Sequence, residues 1–138
     1  MPFHHTVTVR FSEVDGAGIA YFSRVFEYCH AAYEELLRAG DVPLQRLLAE
    51  ESWVLPLVHA EADFKRPLRL GDRVRVEVAV SRLGRTSVHY AYRLVGEEGT
   101  TRATAELVHA FIDKESQRPR PIPESFAAAL GRLGLLPE

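Results

Sequence analysis

Only one stretch of this 138-residue chain carries a long helical repeat, and most of the chain beyond it alternates with a period of two. From Phe22 to Ala39 the apolar positions Phe22, Val25, Phe26, Cys29, Ala32, Tyr33, Leu36 and Leu37 recur at spacings of three and four. That is the repeat of an amphipathic helix. Gly40 follows where such a helix should stop. The stretch makes a rod of roughly 27 Å at 1.5 Å per residue. Shorter helices are expected from Leu44 to Glu50, with Pro43 near the first turn, and from Ser125 to Leu133.

The alternating segments read as strands. His4 to Ser12 puts Val7, Val9 and Phe11 on one face and Thr6, Thr8 and Arg10 on the other. Val54 to Lys65 sets Val58, Ala60, Ala62 and Phe64 against His59, Glu61, Asp63 and Lys65. Arg73 to Leu83 reads RVRVEVAVSRL, Arg85 to Val95 follows after Gly84, and Thr100 to Asp113 follows the GEEG loop. The expected order is strand, long helix, then four strands in an antiparallel meander. Five strands span roughly 24 Å, whereas one helix is only about 10–12 Å across. The sheet must therefore curl around the helix. Apolar surface and a strand edge are left over, which predicts a homodimer or a higher homo-oligomer.

Composition removes several classes of function. Net charge is −2, which gives no support to a nucleic-acid or anionic-membrane partner. The single cysteine, Cys29, excludes an internal disulfide framework. Its place in the helical stripe reads as core. The start, MPFHHTVTVRF, lacks a basic region and an apolar run, and no stretch approaches a membrane span, so a cytoplasmic protein is expected. Fifteen arginines accompany two lysines, a bias that fits genome composition or heat adaptation before any phosphate role. His4, His5, His89 and His109 show no metal-ligand spacing, so no metal is expected.

The chemistry concentrates in FSEVDGAGIAYF, residues 11–22. Asp15 stands between a strand end and the main helix start, with Gly16 and Gly18 beside it. Glycine lets a ligand approach the main chain closely. A helix start offers unpaired N–H groups that hold an oxyanion. A carboxylate there can attack a thioester carbonyl or activate water. Asp15 also suits a plain turn or helix-cap role. Ser23 lacks a nucleophile-elbow context and reads as a cap.

These residues, together with SRVFEYCHAAYEELL, PLVHAEADFKRPLRLGD and AELVHAFID, resemble the hotdog-fold acyl-CoA thioesterases of the 4-hydroxybenzoyl-CoA thioesterase family. The resemblance covers nearly the whole chain and implies a single α+β hotdog domain over residues 1–138. In that fold a curved antiparallel sheet wraps one long central helix. It implies that Asp15 is the catalytic carboxylate, and that the backbone N–H of Phe22, or of its neighbour Tyr21, polarises the carbonyl. No cofactor is implied. Some members have Pro where this chain has Gly16. Within the family the sequence is most similar to the branch acting on 1,4-dihydroxy-2-naphthoyl-CoA in quinone biosynthesis. Branches acting on 4-hydroxybenzoyl-CoA or short aliphatic acyl-CoAs share the motif, and a non-catalytic acyl-CoA-binding module is the remaining alternative. A hydratase is disfavoured because EVDGAGIAYF holds no histidine.

Further candidates rest on position. Tyr21, Phe22 and Phe26 at the helix start suit a flat acyl ring. Gly18 allows close main-chain approach. His59 is a candidate for bonding a substrate hydroxyl, or simply an exposed or interface histidine. Arg118 and Arg120 in QRPRPIP suit the phosphates of coenzyme A, with Arg82 and Arg85 as alternatives. Glu27 and Glu34 on the helix compete with Asp15, but their spacing to Arg24 and Arg38 fits surface ion pairs.

Overall fold

The computed structural model describes residues 2–137. The apolar stripe becomes α1 (Arg24–Ala39), which buries Val25, Tyr28, Cys29, Ala32, Tyr33, Leu36 and Leu37. It begins two residues later than its repeat suggested. Phe22 stays outside the helix and is 57% exposed. The other helices are α2 (Leu44–Glu50) and α3 (Glu124–Arg132). No helix among the described residues is long and apolar enough to cross a membrane.

Five strands form one antiparallel sheet: β1 (Phe3–Thr8), β3 (Leu57–Phe64), β4 (Arg73–Leu83), β5 (Ser87–Gly96) and β6 (Thr101–Ala110). Two short strands, β2 (Trp53–Val54) and β7 (Ile112–Asp113), pair with each other. Val74, Val76 and Val78 of β4, Tyr90 and Leu94 of β5 and Leu107 of β6 are fully buried in one core with α1. Each such side chain contributes about 1.5–3 kcal/mol by leaving water. This is the expected hotdog arrangement, a sheet packed on one central helix.

Three expectations are corrected. The first strand ends at Thr8 rather than Ser12, because Val9 finishes its pairing on the turn before β4 (Val9 N–H to Asp72 O and Gly71 N–H to Val9 O, both 2.9 Å). The chain then makes a 3-10 turn over Phe11–Glu13, and Phe11, expected on one face with Val7 and Val9, is 82% exposed. The segment from Val54 to Lys65 is two strands, since Pro56 has no N–H with which to continue the ladder.

The meander is also shorter than expected. The sheet order is β1-β4-β5-β6-β3, so only β4, β5 and β6 follow one another and β3 lies at the far edge. Lys65 and Arg66 both donate to Arg102 O at the start of β6, at 2.8 and 3.0 Å. From there residues 65–72 cross the end of the sheet to reach β4. A bulge between Leu57 and His59 removes Val58 from the expected face. β3 is exposed on both faces except at Ala62.

Candidate active site

Asp15 sits on a miniature hairpin built from the glycine-containing loop. Val14 and Ala20 form an antiparallel bridge, and Asp15 N–H donates to Ile19 O at 2.9 Å. Gly18 closes the turn at φ +76, and its N–H donates to Asp15 O at 3.0 Å. A side chain there would be strained. One carboxylate oxygen of Asp15, Oδ1, accepts the N–H groups of Ala17 (2.8 Å) and Ile19 (3.2 Å). No described residue bonds Oδ2, and the side chain is exposed in the single chain. One oxygen is therefore positioned by the backbone, and the other is available for chemistry.

The crossing segment straps this hairpin down. Ala20 N–H donates to Leu68 O at 2.7 Å, and Leu70 N–H donates to Gly18 O at 2.9 Å. Glu13 fastens the other side. Its carboxylate accepts Tyr28 Oη–H (2.8 Å) and Arg10 N–H (2.9 Å), and its carbonyl accepts Tyr21 N–H (2.9 Å). Burial, then the Glu13 bond, pushes the Tyr28 hydroxyl well above its ordinary value, so it stays a donor. Replacing Tyr28 by Phe removes this link between loop and helix. The expected cost is about 1 kcal/mol of unfolding free energy, read from urea unfolding, with reduced turnover from a looser loop.

At the helix start, Arg24, Val25 and Phe26 N–H groups donate to Tyr21, Phe22 and Ser23 carbonyls at 2.9, 3.3 and 3.2 Å. Tyr21 N–H is already committed to Glu13. Among the described residues no acceptor meets Phe22 N–H or Ser23 N–H. These two amides, at the positive end of α1, are the free donors for an oxyanion. Ser23 itself makes no side-chain cap, contrary to expectation. A cavity of about 340 Å³ opens beside this start, lined among others by Ile19, Phe22, Val25, Phe64 and Pro67.

Residues 9–130 match the thioesterase-like superfamily. The chain belongs to that superfamily. It is 35% identical over 117 residues to a 1,4-dihydroxy-2-naphthoyl-CoA hydrolase of Synechococcus elongatus, covering 84% of this chain and 85% of that protein. It is also 35% identical over 123 residues to the hydrolase of the same name from Rippkaea orientalis, covering 88% and 89%. Its fold superposes with a TM-score of 0.90 on the crystal structure of a 1,4-dihydroxy-2-naphthoyl-CoA thioesterase from Synechocystis, at 29% identity over 97% of this chain and 98% of that one.

In this thioesterase-like chain not every candidate converges on Asp15. Phe22 and Asp15 share the hairpin and helix start, and Phe26 comes one turn along α1, partly buried against the core. His59 does not join them. It pairs with Val108, which shares the sheet face turned away from α1, and its Nε2 lies 3.1 Å from Glu61 Oε1. Arg118 and Arg120 flank β7, and Arg120 N–H bonds Phe111 O, just past the end of β6. The Asp15 strap bonds the other end of that strand, roughly 30 Å away for ten residues.

On the Asp15 side, Lys65, Arg66 and Arg102 line the same cavity as Phe22. Sequence reasoning misses them although F-K-R-P is in plain view, because the alternation of that stretch masks its charge. Arg102 is committed to Pro67 O (2.8 Å) and Asp72 (3.4 Å). Glu27 is bonded by Arg24 at 2.9 and 3.0 Å, and Glu34 lies 3.6 Å from Arg38, as surface pairs should. Cys29 is fully buried, and burial pushes its thiol up to about 12, which makes it inert core. No cluster of three metal-ligating side chains exists among the described residues.

Proposed function

We propose that this protein hydrolyses 1,4-dihydroxy-2-naphthoyl-CoA to the free acid and coenzyme A, a step of quinone biosynthesis, in the cytoplasm. The observation that carries the reading is the Asp15 carboxylate, with one oxygen anchored by two amides and the other free, on a loop leading to the unpaired Phe22 and Ser23 N–H groups. The names of the relatives supply the acyl group.

In the reaction the carbonyl oxygen takes up charge facing those amides. Asp15 Oδ2 either bonds the carbonyl carbon or removes a proton from an attacking water. In both routes the C–S bond breaks and the thiolate leaves with its electron pair. In the first route an aspartyl anhydride forms, and water then opens it. Lys65 and Arg66, on the wall of the adjoining cavity, are the cations placed for the phosphates of coenzyme A.

Thiol release over a panel of acyl-CoAs tests the assignment. The hydroxynaphthoyl thioester should be turned over fastest. Preference for 4-hydroxybenzoyl-CoA or a short aliphatic thioester changes the substrate, and tight binding without thiol release leaves a binding module. A single turnover in 18O water separates the routes. Label in Asp15 marks an anhydride opened at the aspartyl carbon, whereas label confined to the released acid, with no trapped acyl-enzyme, marks attack by water.

The working form on this reading is a homodimer, or a tetramer built from it, joined along β3. That strand is an unpaired edge with Leu57, Val58 and Phe64 exposed. Val58→Glu sets a charge on this edge in each protomer. It should shift the species in sedimentation towards 15.5 kDa and lower turnover at least tenfold, with far-UV circular dichroism unchanged. A variant that stays dimeric and fully active removes β3 from the interface.

A further inference from the structure

Two turns beyond the site just described, α1 borders a second cavity that the chemistry of Asp15 does not use. It holds about 350 Å³ and is lined among others by His30, Tyr33, Leu44, Leu48, Leu55 and His109. We propose that this cavity receives the aryl group, and that neutral nitrogens of His30 and His109 accept hydrogen bonds from its ring hydroxyls. The inference rests on the thioesterase reading and adds the residues that choose the acyl group.

His109 is 5% exposed, and its Nδ1 lies 2.8 Å from Leu55 O. A carbonyl only accepts, so Nδ1 carries the hydrogen and Nε2 keeps its lone pair. Burial, above all, lowers the ring to about 4, so the lone pair is present at neutral pH. Burial also lowers His30. The His109 Nε2, the His30 Nε2 and the Tyr33 hydroxyl are all buried without a protein partner. Buried polar atoms in native proteins are seldom left so. Tyr33 stacks on His109, with centroids 4.5 Å apart and planes 10° apart, and His30 lies 5.4 Å from His109. The fixed acceptor at His109 Nε2, beside the neutral His30 ring in a mostly apolar chamber that Glu34 also borders, calls for a ligand that donates. A phenolic hydroxyl on a planar ring does so, and a carboxylate in the same place does not.

The position suits the reaction. Phe64, at one end of β3, lies 6.3 Å ring to ring from Phe22 at the helix start. The second cavity lies at the other end, beside Pro56. Two β3 edges paired antiparallel across a two-fold axis bring the Phe64 end of one protomer to the Leu57 end of the other. One protomer's Asp15 loop then faces the other's histidine-lined cavity. An acyl group held between them has its carbonyl at one helix start and its ring beside the opposite histidines.

The test compares kcat/KM for 1,4-dihydroxy-2-naphthoyl-CoA with that for 2-naphthoyl-CoA, which lacks both hydroxyls. The unaltered protein should prefer the hydroxylated thioester by about 50-fold or more. In His30→Phe and in His109→Phe the preference should collapse to about threefold or less. Near-UV circular dichroism checks that each variant is folded. A folded His30→Phe protein that keeps the full preference overturns the inference and leaves the thioesterase assignment standing. So does a parent protein that does not discriminate. If neither thioester is hydrolysed, the thioesterase reading fails. Equilibrium binding of the same two thioesters to the Asp15→Asn protein then decides the inference alone. Tighter binding of the hydroxylated one supports it, and equal binding overturns it.

Discussion

Asp15→Asn should lower turnover by about three orders of magnitude or more while leaving the fold and KM little changed. The amide keeps an oxygen where Oδ1 stands, so the bonds from Ala17 and Ile19 N–H survive and the hairpin holds its shape. What disappears is the anionic oxygen that, in the proposed mechanism, attacks carbon or accepts a proton. Asp15→Ala should be worse in a second way. It also strips both amides of their acceptor, a loosening worth about 1–2 kcal/mol to the loop. The pair of variants separates chemistry from architecture. Thiol-release kinetics with matched urea midpoints give the answer, and an Asn variant retaining a tenth of normal turnover would end the carboxylate's role.

Stability should fall as the solution is made acidic, and His109 should be a main cause. Its ring titrates near 6.5 when the chain is unfolded and at about 4 when folded, because burial disfavours the imidazolium. Between those values the unfolded chain holds a proton that the folded chain refuses. Acid therefore favours unfolding, and the stability present above pH 6.5 is lost as pH drops towards 4. The difference corresponds to about 3 kcal/mol, roughly half of it between pH 6.5 and 5. His30, also lowered by burial, adds in the same direction. Glu77 and Asp113, whose carboxyls are held below their ordinary range, contribute only at lower pH. Urea midpoints at pH 7 and pH 5 read the effect. His109→Phe should flatten that interval, and an unchanged slope would show that the histidine is not responsible.

The helix and the hairpin-linked strands were legible because their information is local. The spacing from Val25 to Leu37 repeats on one helical face, and RVRVEVAVSRL alternates over the same eleven residues that form β4. The place of β3 was not legible. Alternation says that two faces exist but not which strand lies alongside, and a bulge at Val58 undoes even the face. Within one protomer Arg118 and Arg120 lie at the end of β6 away from Asp15, whereas Lys65 and Arg66 reach the Asp15 end because the chain crosses the sheet there. The position of Asp15 on a loop between the first strand and α1 was legible through the glycines beside it and the helix that begins after them. Glu13 was not, since its bond to Tyr28 spans fifteen residues. His30 and His109 were invisible as a pair because 79 positions separate them, and only the packing of β6 on α1 joins them.

The strap over the Asp15 hairpin sets a timetable. On the ribosome the Asp15 loop is made well before Leu68 and Leu70, the residues it closes against. The strap in turn hangs on Arg102, which comes later still and whose carbonyl and guanidinium hold it. The Asp15 carboxylate is thus translated well before the residues that hold its loop closed.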